Sequence, residues 1–201
     1  MTFDLSFPLI GTNPIAADHG YHLYGGLSKL LPILHEHNGI GVHPIRGTQI
    51  GNRLLQLTEK SELVLRIPDT RIGEFLPLAG KQLRIASQHV RVGVPRVFPL
   101  TPATALRSRL VTIKNGTDPE RFLKELRRKL ELFGVSPEAQ PSLGKRRTVC
   151  IKEKEVVGYE VIVEALTAEE SLAIQENRTQ GSPEMGWSRR HMGCAMFRPI
   201  E

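Results

Sequence analysis

The sequence predicts an α+β chain of two β-α-β-β-α-β halves in tandem, the split βαβ or ferredoxin-like order, with a glycine-rich loop near the C-terminus. Three observations carry this. Period-two apolar runs and helical-period runs follow the same order in residues 1–100 and again in 103–201. Leu100-Thr-Pro-Ala103 separates the two sets. Gly181, Gly186 and Gly193 then punctuate a stretch that runs into the short apolar segment Cys194–Phe197, read as a final strand. The halves share an order of elements and not their residues.

In the first half, Phe3, Leu5, Phe7 and Leu9 alternate with Asp4, Ser6 and Pro8, a strand that ends at Gly11. Asn13-Pro14 breaks it, and a helix follows with Asp18 as N-cap. Leu23, Tyr24, Leu27, Leu30, Leu31 and Leu34 recur at helical spacing as its buried face. Pro32 has no N–H to give the preceding turn, so a kink or an early end is expected there. Residues 39–45 form an interrupted edge strand, and 53–57 and 63–67 are two more strands. Residues 69–76 form a short helix stopped by Pro77 and Gly80, and 82–85 and 90–97 are further strands.

The second half opens on a strand at 106–113. Asp118-Pro119 caps a helix whose Phe122, Leu126, Leu130 and Phe133 share one face, and Gly134 ends it. Residues 136–146 read as a Pro/Gly/Ser linker, and 149–163 as a hairpin around Glu153-Lys-Glu155. Thr167-Ala-Glu-Glu170 is a capping-box helix start, and that helix runs to about Arg178.

The composition is that of a globular chain long enough for a sizeable core: 201 residues, 40% hydrophobic and 24% charged. No apolar run has transmembrane length, and Met1–Pro8 lacks the basic and apolar regions of a secretory signal. Cys150 and Cys194 have no metal-binding spacing, so a reduced, cytoplasmic chain is expected, without a membrane partner. A net charge of +6 and a pI near 9.6 favour a polyanionic partner. Arg189-Arg190-His191 precedes Gly193, and no acidic residue stands between Met185 and Ile200. Backbone N–H groups left bare by glycine, beside arginines, suit phosphate oxygens. The same spacing also fits an ordinary loop before an edge strand.

Further pieces are spread along the chain: Ala17-Asp-His-Gly-Tyr21, Tyr24-Gly-Gly-Leu-Ser28, Leu34-His-Glu36, Gly41-Val-His-Pro-Ile-Arg-Gly47, Pro77-Leu-Ala-Gly-Lys81, Arg109-Leu-Val-Thr-Ile113, Glu169-Glu-Ser171 and Arg189-Arg-His-Met-Gly-Cys194. Together they resemble the CRISPR-associated endoribonucleases that cut precursor CRISPR RNA within its repeats, in particular the cyanobacterial and myxobacterial-type subgroup. The resemblance implies cleavage without metal or other cofactor: a ribose 2′-OH attacks the adjacent phosphate and leaves a 2′,3′-cyclic phosphate and a 5′-OH. It implies CRISPR repeat RNA as partner and a product retained for an effector complex.

Such chemistry needs a base, an acid and cations for the phosphorane. His35 is the first candidate, since an imidazole both takes and gives a proton near neutral pH, and Leu-His-Glu at the end of the first helix matches a placement in the family. A surface histidine in the polar turn His35-Glu-His-Asn38 is the plain alternative. Tyr24 and Ser28 lie one helical turn apart on one face. Ser28 stands where relatives can carry a tyrosine or histidine; serine alone is too weak a base, but it could hydrogen-bond a phosphate or orient the ribose, or be a small polar residue at a helix edge. His43 competes as base, and His19 lies at the helix start. His35, His37 and His43 read as zinc ligands only weakly, because no Cys or Asp joins them at a ligand spacing. For phosphate binding the candidates are Arg189, Arg190 and His191, then Arg46, Lys81 and Arg109. The stripe Arg121, Lys124 and Arg128 on the second-half helix, and Lys145-Arg-Arg147, could grip an RNA stem or be solvated faces. The leading expectation is a metal-independent repeat endoribonuclease. Its rivals are a catalytically weak RNA-hairpin-binding subunit and an unrelated RNA-recognition module, though no exposed aromatic pair supports the last.

Overall fold

The computed structural model describes residues 1–11, 13–35, 39–114, 116–180 and 186–200, with the backbone alone for His35. The chain divides into two compact units. The first is Met1–Pro99 together with His191–Gly193, and the second is Leu100–Arg190 with Cys194–Glu201.

In chain order the first unit contains β1 (Thr2–Ile10), β2 (Ile15–Ala16), α1 (Gly20–Leu30), β3 (Gly41–Val42), β4 (Thr48–Gln49), β5 (Leu54–Gln56), β6 (Glu62–Pro68), α2 (Ile72–Phe75), β7 (Gln82–Ile85), β8 (Gln88–Val92) and β9 (Arg96–Pro99). Strand β1 is central. It pairs antiparallel with β6 from Thr2↔Pro68 to Pro8↔Glu62, β6 pairs β3, and β9 pairs the other edge of β1. The resulting order β3-β6-β1-β9 is the ferredoxin-like one. The β7–β8 hairpin joins the end of β1 through Leu9↔Val92. Residues 48–56 depart from expectation. β5 pairs with β2 on one side and β4 on the other in a small separate sheet, outside the main one.

Alternation along β1 decides the two faces. Leu5, Phe7 and Leu9 are buried with Leu63, Leu65 and Ile67 of β6 and Leu23 and Leu27 of α1 in one core. Asp4, Ser6 and Pro8 point the other way. Helix α1 stops where Pro32 requires. The residue before proline is driven out of the helical region, and Leu31 has φ −134° and ψ 85°. A 3-10 turn, Pro32–His35, continues the chain. The N-cap is His19 and not Asp18, and its side chain makes no capping bond because its ring is engaged elsewhere.

The second unit holds β10 (Leu106–Val111), α3 (Pro119–Leu132), β11 (Gln140–Ile151), β12 (Lys154–Glu164), α4 (Ala168–Glu176) and β13 (Arg198–Pro199). Their sheet order β11-β12-β10-β13 is again ferredoxin-like. The Asp118 carboxylate accepts from the Arg121 N–H at 2.8 Å, and Thr167 and Glu170 form the expected capping box. Two expectations need correction. Residues 140–146 are not linker but the start of β11. Pro141 is tolerated because β11 is an edge strand, and Gly144 lies in a register shift between Leu143 and Arg146. The hairpin turns at Lys152 and Glu153, both left-handed with φ of 48° and 61°. Cys194–Phe197 is buried core and not strand. Ala195 has φ 51°, which breaks the extended run, and pairing begins only at Arg198.

Candidate active site

Gly20 and the expected site residues Tyr24 and Ser28 form a stripe on α1, one turn apart. Gly20 comes first, and an added Cβ there would meet the Met192 carbonyl oxygen at 2.3 Å, so only glycine admits the backbone of residues 191–193. One turn on, the half-buried Tyr24 meets His191, with ring centroids 4.5 Å apart and planes tilted by 53°. One turn further, Ser28 is buried, and its hydroxyl donates to the Tyr24 carbonyl at 2.8 Å. That bond occupies the only Ser28 proton, so the hydroxyl is a helix-internal contact. At the far end of the segment Gly193 has φ +83° and lies against Pro44, whose Cγ would be 3.1 Å from an added Cβ.

The histidines separate by environment. His19 is buried, its Nε2 accepts from the Ile45 N–H at 2.9 Å, and its Nδ1 lies 2.9 Å from the Ala16 carbonyl. A backbone N–H can only donate, so Nε2 carries no proton and Nδ1–H donates to Ala16. The ring is neutral and holds the entry to α1 against residues 44–45, and it has no lone pair left for substrate. His43 is 2% exposed, with Nε2 3.6 Å from Asp4 Oδ1. Arg66, 1% exposed, grips the same carboxylate with Nε on Oδ1 at 2.8 Å and Nη2 on Oδ2 at 2.9 Å. Burial pushes the Asp4 carboxyl up, but His43 and Arg66 beside it win and hold it far below the usual carboxylate range. His43 therefore stands in a buried ionic cluster and not on an accessible surface. His35 closes the 3-10 turn after α1, and its side chain, like residues 36–38, lies outside the described residues.

The basic candidates also separate. Arg189 is exposed, with φ 57° and Nη1 3.2 Å from the Thr112 hydroxyl. Arg190 is 3% exposed, and its Nη2 donates to the Gln175 carbonyl at 2.9 Å. Expected to bind phosphate, Arg190 lies in the second unit's interior, where Gln175 at the end of α4 supplies an acceptor. Arg46, Lys81, Arg109, Arg121, Lys124 and Arg128 are all exposed, and Arg128 is paired with Glu125 at 3.1 Å. Of the glycine loop, Gly181–Met185 lie outside the described residues. Gly186 belongs to the second unit, where the half-buried Lys129 donates to its carbonyl at 2.9 Å. Burial, and after it the neighbouring Arg128 charge, pulls the Lys129 ammonium below its ordinary range. Trp187 stacks on Phe133, with centroids 5.2 Å apart.

Sequence reasoning did not find the part played by Gly20, Asp4 and Arg66. A charge at Asp4 between Phe3 and Leu5 was the available sign, since a strand that carries a carboxylate on a covered face needs a partner across it.

Among the described residues no three His, Cys, Asp or Glu side chains gather around a point where an ion would sit, and no helix is long and apolar enough to cross a membrane.

The architecture is that of tandem ferredoxin-like proteins. A CRISPR-associated Cas6 protein and a protein described as an RAMP protein binding different RNA substrates each superpose over all of this chain and all of their own, with TM-scores of 0.66 at 13% and 14% identity. A Cas6 product complex superposes over 98% of this chain and 99% of its own, with a TM-score of 0.53 at 19% identity. The family model Cas6 (Cas6 Crispr) matches residues 3–201, and the CRISPR-associated endonuclease Cas6 of Myxococcus xanthus (strain DK1622) is 39% identical over 98% of this chain and 80% of its own length. The chain belongs to the Cas6 family.

Proposed function

We propose that this protein is an endoribonuclease that processes precursor CRISPR RNA by cutting within the repeats. The observation that carries the reading is the Tyr24–His191 pair: in a Cas6-family chain, the glycine loop sets an imidazole against a phenol on α1. In the reaction the ribose 2′-OH loses its proton to a base and its oxygen attacks the adjacent phosphorus. The P–O5′ bond breaks, the leaving oxygen takes a proton from an acid, and the products are a 2′,3′-cyclic phosphate and a 5′-OH. No metal is assigned a step. His35 is the first choice for acid–base work, with Tyr24 and His191 beside the reacting groups. Arg189 and the exposed Arg46, Lys81 and Arg109 supply positive charge for the phosphates. Arg121, Lys124 and Arg128 line one exposed side of α3 and suit an RNA stem. Retention of the product would make the protein a subunit of an effector complex.

One finding favours a second reading, a subunit that holds the RNA hairpin without cutting it. The Ser28 hydroxyl donates within α1 and His43 is buried, which counts against two of the four expected catalytic groups. Repeat RNA incubated with the protein in EDTA decides between them. The endonuclease reading expects cleavage that persists, yields a cyclic phosphate and stops when the scissile nucleotide is 2′-deoxy. Tight binding with intact RNA in every buffer supports the second reading, and activity lost in EDTA and restored by a divalent ion overturns the proposed mechanism.

A further inference from the structure

Between Glu74 and Asp118 the sequence has no acidic residue, and four of its cations, Lys81, Arg84, Arg91 and Arg96, fall in the first unit. The fold gathers two of them. In the β7–β8 hairpin Leu83, Ile85, Val90 and Val92 turn into the core, while Gln82, Arg84, His89 and Arg91 are more exposed and face outward. Their register is Gln82↔Arg91 and Arg84↔His89, so Arg84 and Arg91 are diagonal neighbours with an imidazole opposite one of them. Among the described residues no carboxylate lies within ion-pair reach of Lys81, Arg84 or Arg91. Gathering basic groups on one face without counter-ions works against the hairpin, and a polyanion would reverse that cost.

The hairpin is also held rigidly. Arg84 Nε donates to the Ala86 carbonyl at 2.8 Å, with Ala86 in a left-handed turn at φ 55°, which fixes the guanidinium and leaves its remaining N–H groups outward. Beneath it, Gly26 of α1 lies so close to β7 that an added Cβ would meet the Arg84 carbonyl at 2.0 Å. The helix that carries Tyr24 and the strand that carries Arg84 are thus in backbone contact. Beyond Arg91, its strand partner Ile10 is 61% exposed. On the adjoining β9, Phe98 is 44% exposed, with the Arg96 guanidinium 5.6 Å from its ring centroid. Arg96 is itself paired with Glu62 at 3.2 Å, but apolar surface beside Arg84 and Arg91, which have no such carboxylate among the described residues, is the composition of a single-strand binding face.

We infer that the outward face of the β7–β8 hairpin, through Arg84 and Arg91, is a further RNA contact that grips phosphates of the precursor away from the cut. The inference rests on the proposed function. The test is the double variant Arg84→Gln/Arg91→Gln, with Lys60→Gln as an exposed control on the turn beside Glu59, all on the full chain. Binding of a precursor RNA that contains a repeat with single-stranded flanks is measured across a salt series, and single-turnover cleavage at saturating protein is followed alongside. For two lost contacts to a single strand the slope of log K against log salt becomes shallower by up to about 1.4 units. The affinity at low salt falls about tenfold or more, while Lys60→Gln and the saturated cleavage rate stay at wild type. A wild type that binds and cuts the RNA, beside a double variant of unchanged slope and affinity, overturns the inference alone: the charges then only protect β7 as an edge strand. A wild type that neither binds nor cuts overturns the proposed function and this inference with it.

Discussion

The Tyr24 ring lies against the His191 ring, centroids 4.5 Å apart, although one residue belongs to the first helix and the other to the C-terminal glycine loop. If the phenol shares in proton transfer, Tyr24→Phe keeps the ring contact and removes only the hydroxyl. The expected result is an unchanged melting temperature with single-turnover cleavage slowed by about 10²-fold. An unchanged rate would leave Tyr24 as a wall for His191 and take the phenol out of the chemistry.

Gly20 and Met192 set the position of that loop segment. In Gly20→Ala the new methyl meets a backbone oxygen at 2.3 Å, which no rotamer change relieves. The expected cost is about 1–3 kcal/mol, read as a lower denaturation midpoint. Cleavage should fall as well, because His191 is carried by the displaced segment. Gly25→Ala is the companion measurement. Nothing lies within 4 Å of its Cβ, so it should be neutral or slightly stabilising.

Arg189 and Arg190 are neighbours with opposite surroundings. Arg189→Ala should make the salt dependence of RNA binding shallower by up to about one unit without loss of stability. Arg190→Ala should leave that slope alone. It should destabilise by about 1–3 kcal/mol, because the Gln175 carbonyl loses its buried donor. Equal slope changes in the two variants would contradict the assignment of Arg190 to the interior.

Legibility in the sequence followed the range of the forces involved. Strand β1, helices α1 and α3 and both caps of the second unit were readable, since alternation, helical spacing and capping are local patterns. The start of β11 was not: Pro141 and Gly144 are local signals for loop, and only the edge position of the strand, a property of the whole sheet, makes them acceptable. The end at Pro32 was readable, whereas the N-cap was not, because His19 serves Ala16 and Ile45 from a distance. In the candidate site Tyr24 and the arginines of the loop were chosen by residue type. Their accessibility depends on contacts such as Arg190 with Gln175, which no spacing rule contains.

Asp4 joins β1 to Arg66 of β6, and its carboxyl is held well below the ordinary range. A folded-state pKa below the unfolded value of about 3.9 gives stability that is fully present above that value. It is lost progressively as the pH falls below it. The wild type should therefore show a steep decline in stability on the acid side, and Asp4→Asn should flatten that limb. At neutral pH Asp4→Ala should cost about 3–5 kcal/mol, since it leaves the Arg66 guanidinium buried without its carboxylate. Urea midpoints measured from pH 7 to pH 3 check both. An acid limb identical in wild type and Asp4→Asn would mean that other carboxylates govern it.

His35→Ala tests the mechanism most directly. If His35 is the general base or acid, its removal should slow cleavage by roughly 10²–10⁴-fold. Affinity for repeat RNA should barely change, because one neutral imidazole adds little to binding dominated by phosphate contacts. The fold should hold as well, since the buried core of the first unit is built from apolar residues such as Leu27, Leu34, Ile40 and Val42. Single-turnover conditions are needed so that the slow release of a tightly held product does not mask the chemical step. A normal rate in this variant would move the acid–base work to His191, because His19 has both ring nitrogens engaged and His43 is buried beside Asp4. His191→Ala would then carry the full loss. If both variants cut at the wild-type rate, neither His35 nor His191 does the acid–base work, and the Tyr24 hydroxyl becomes the next candidate on the α1 stripe.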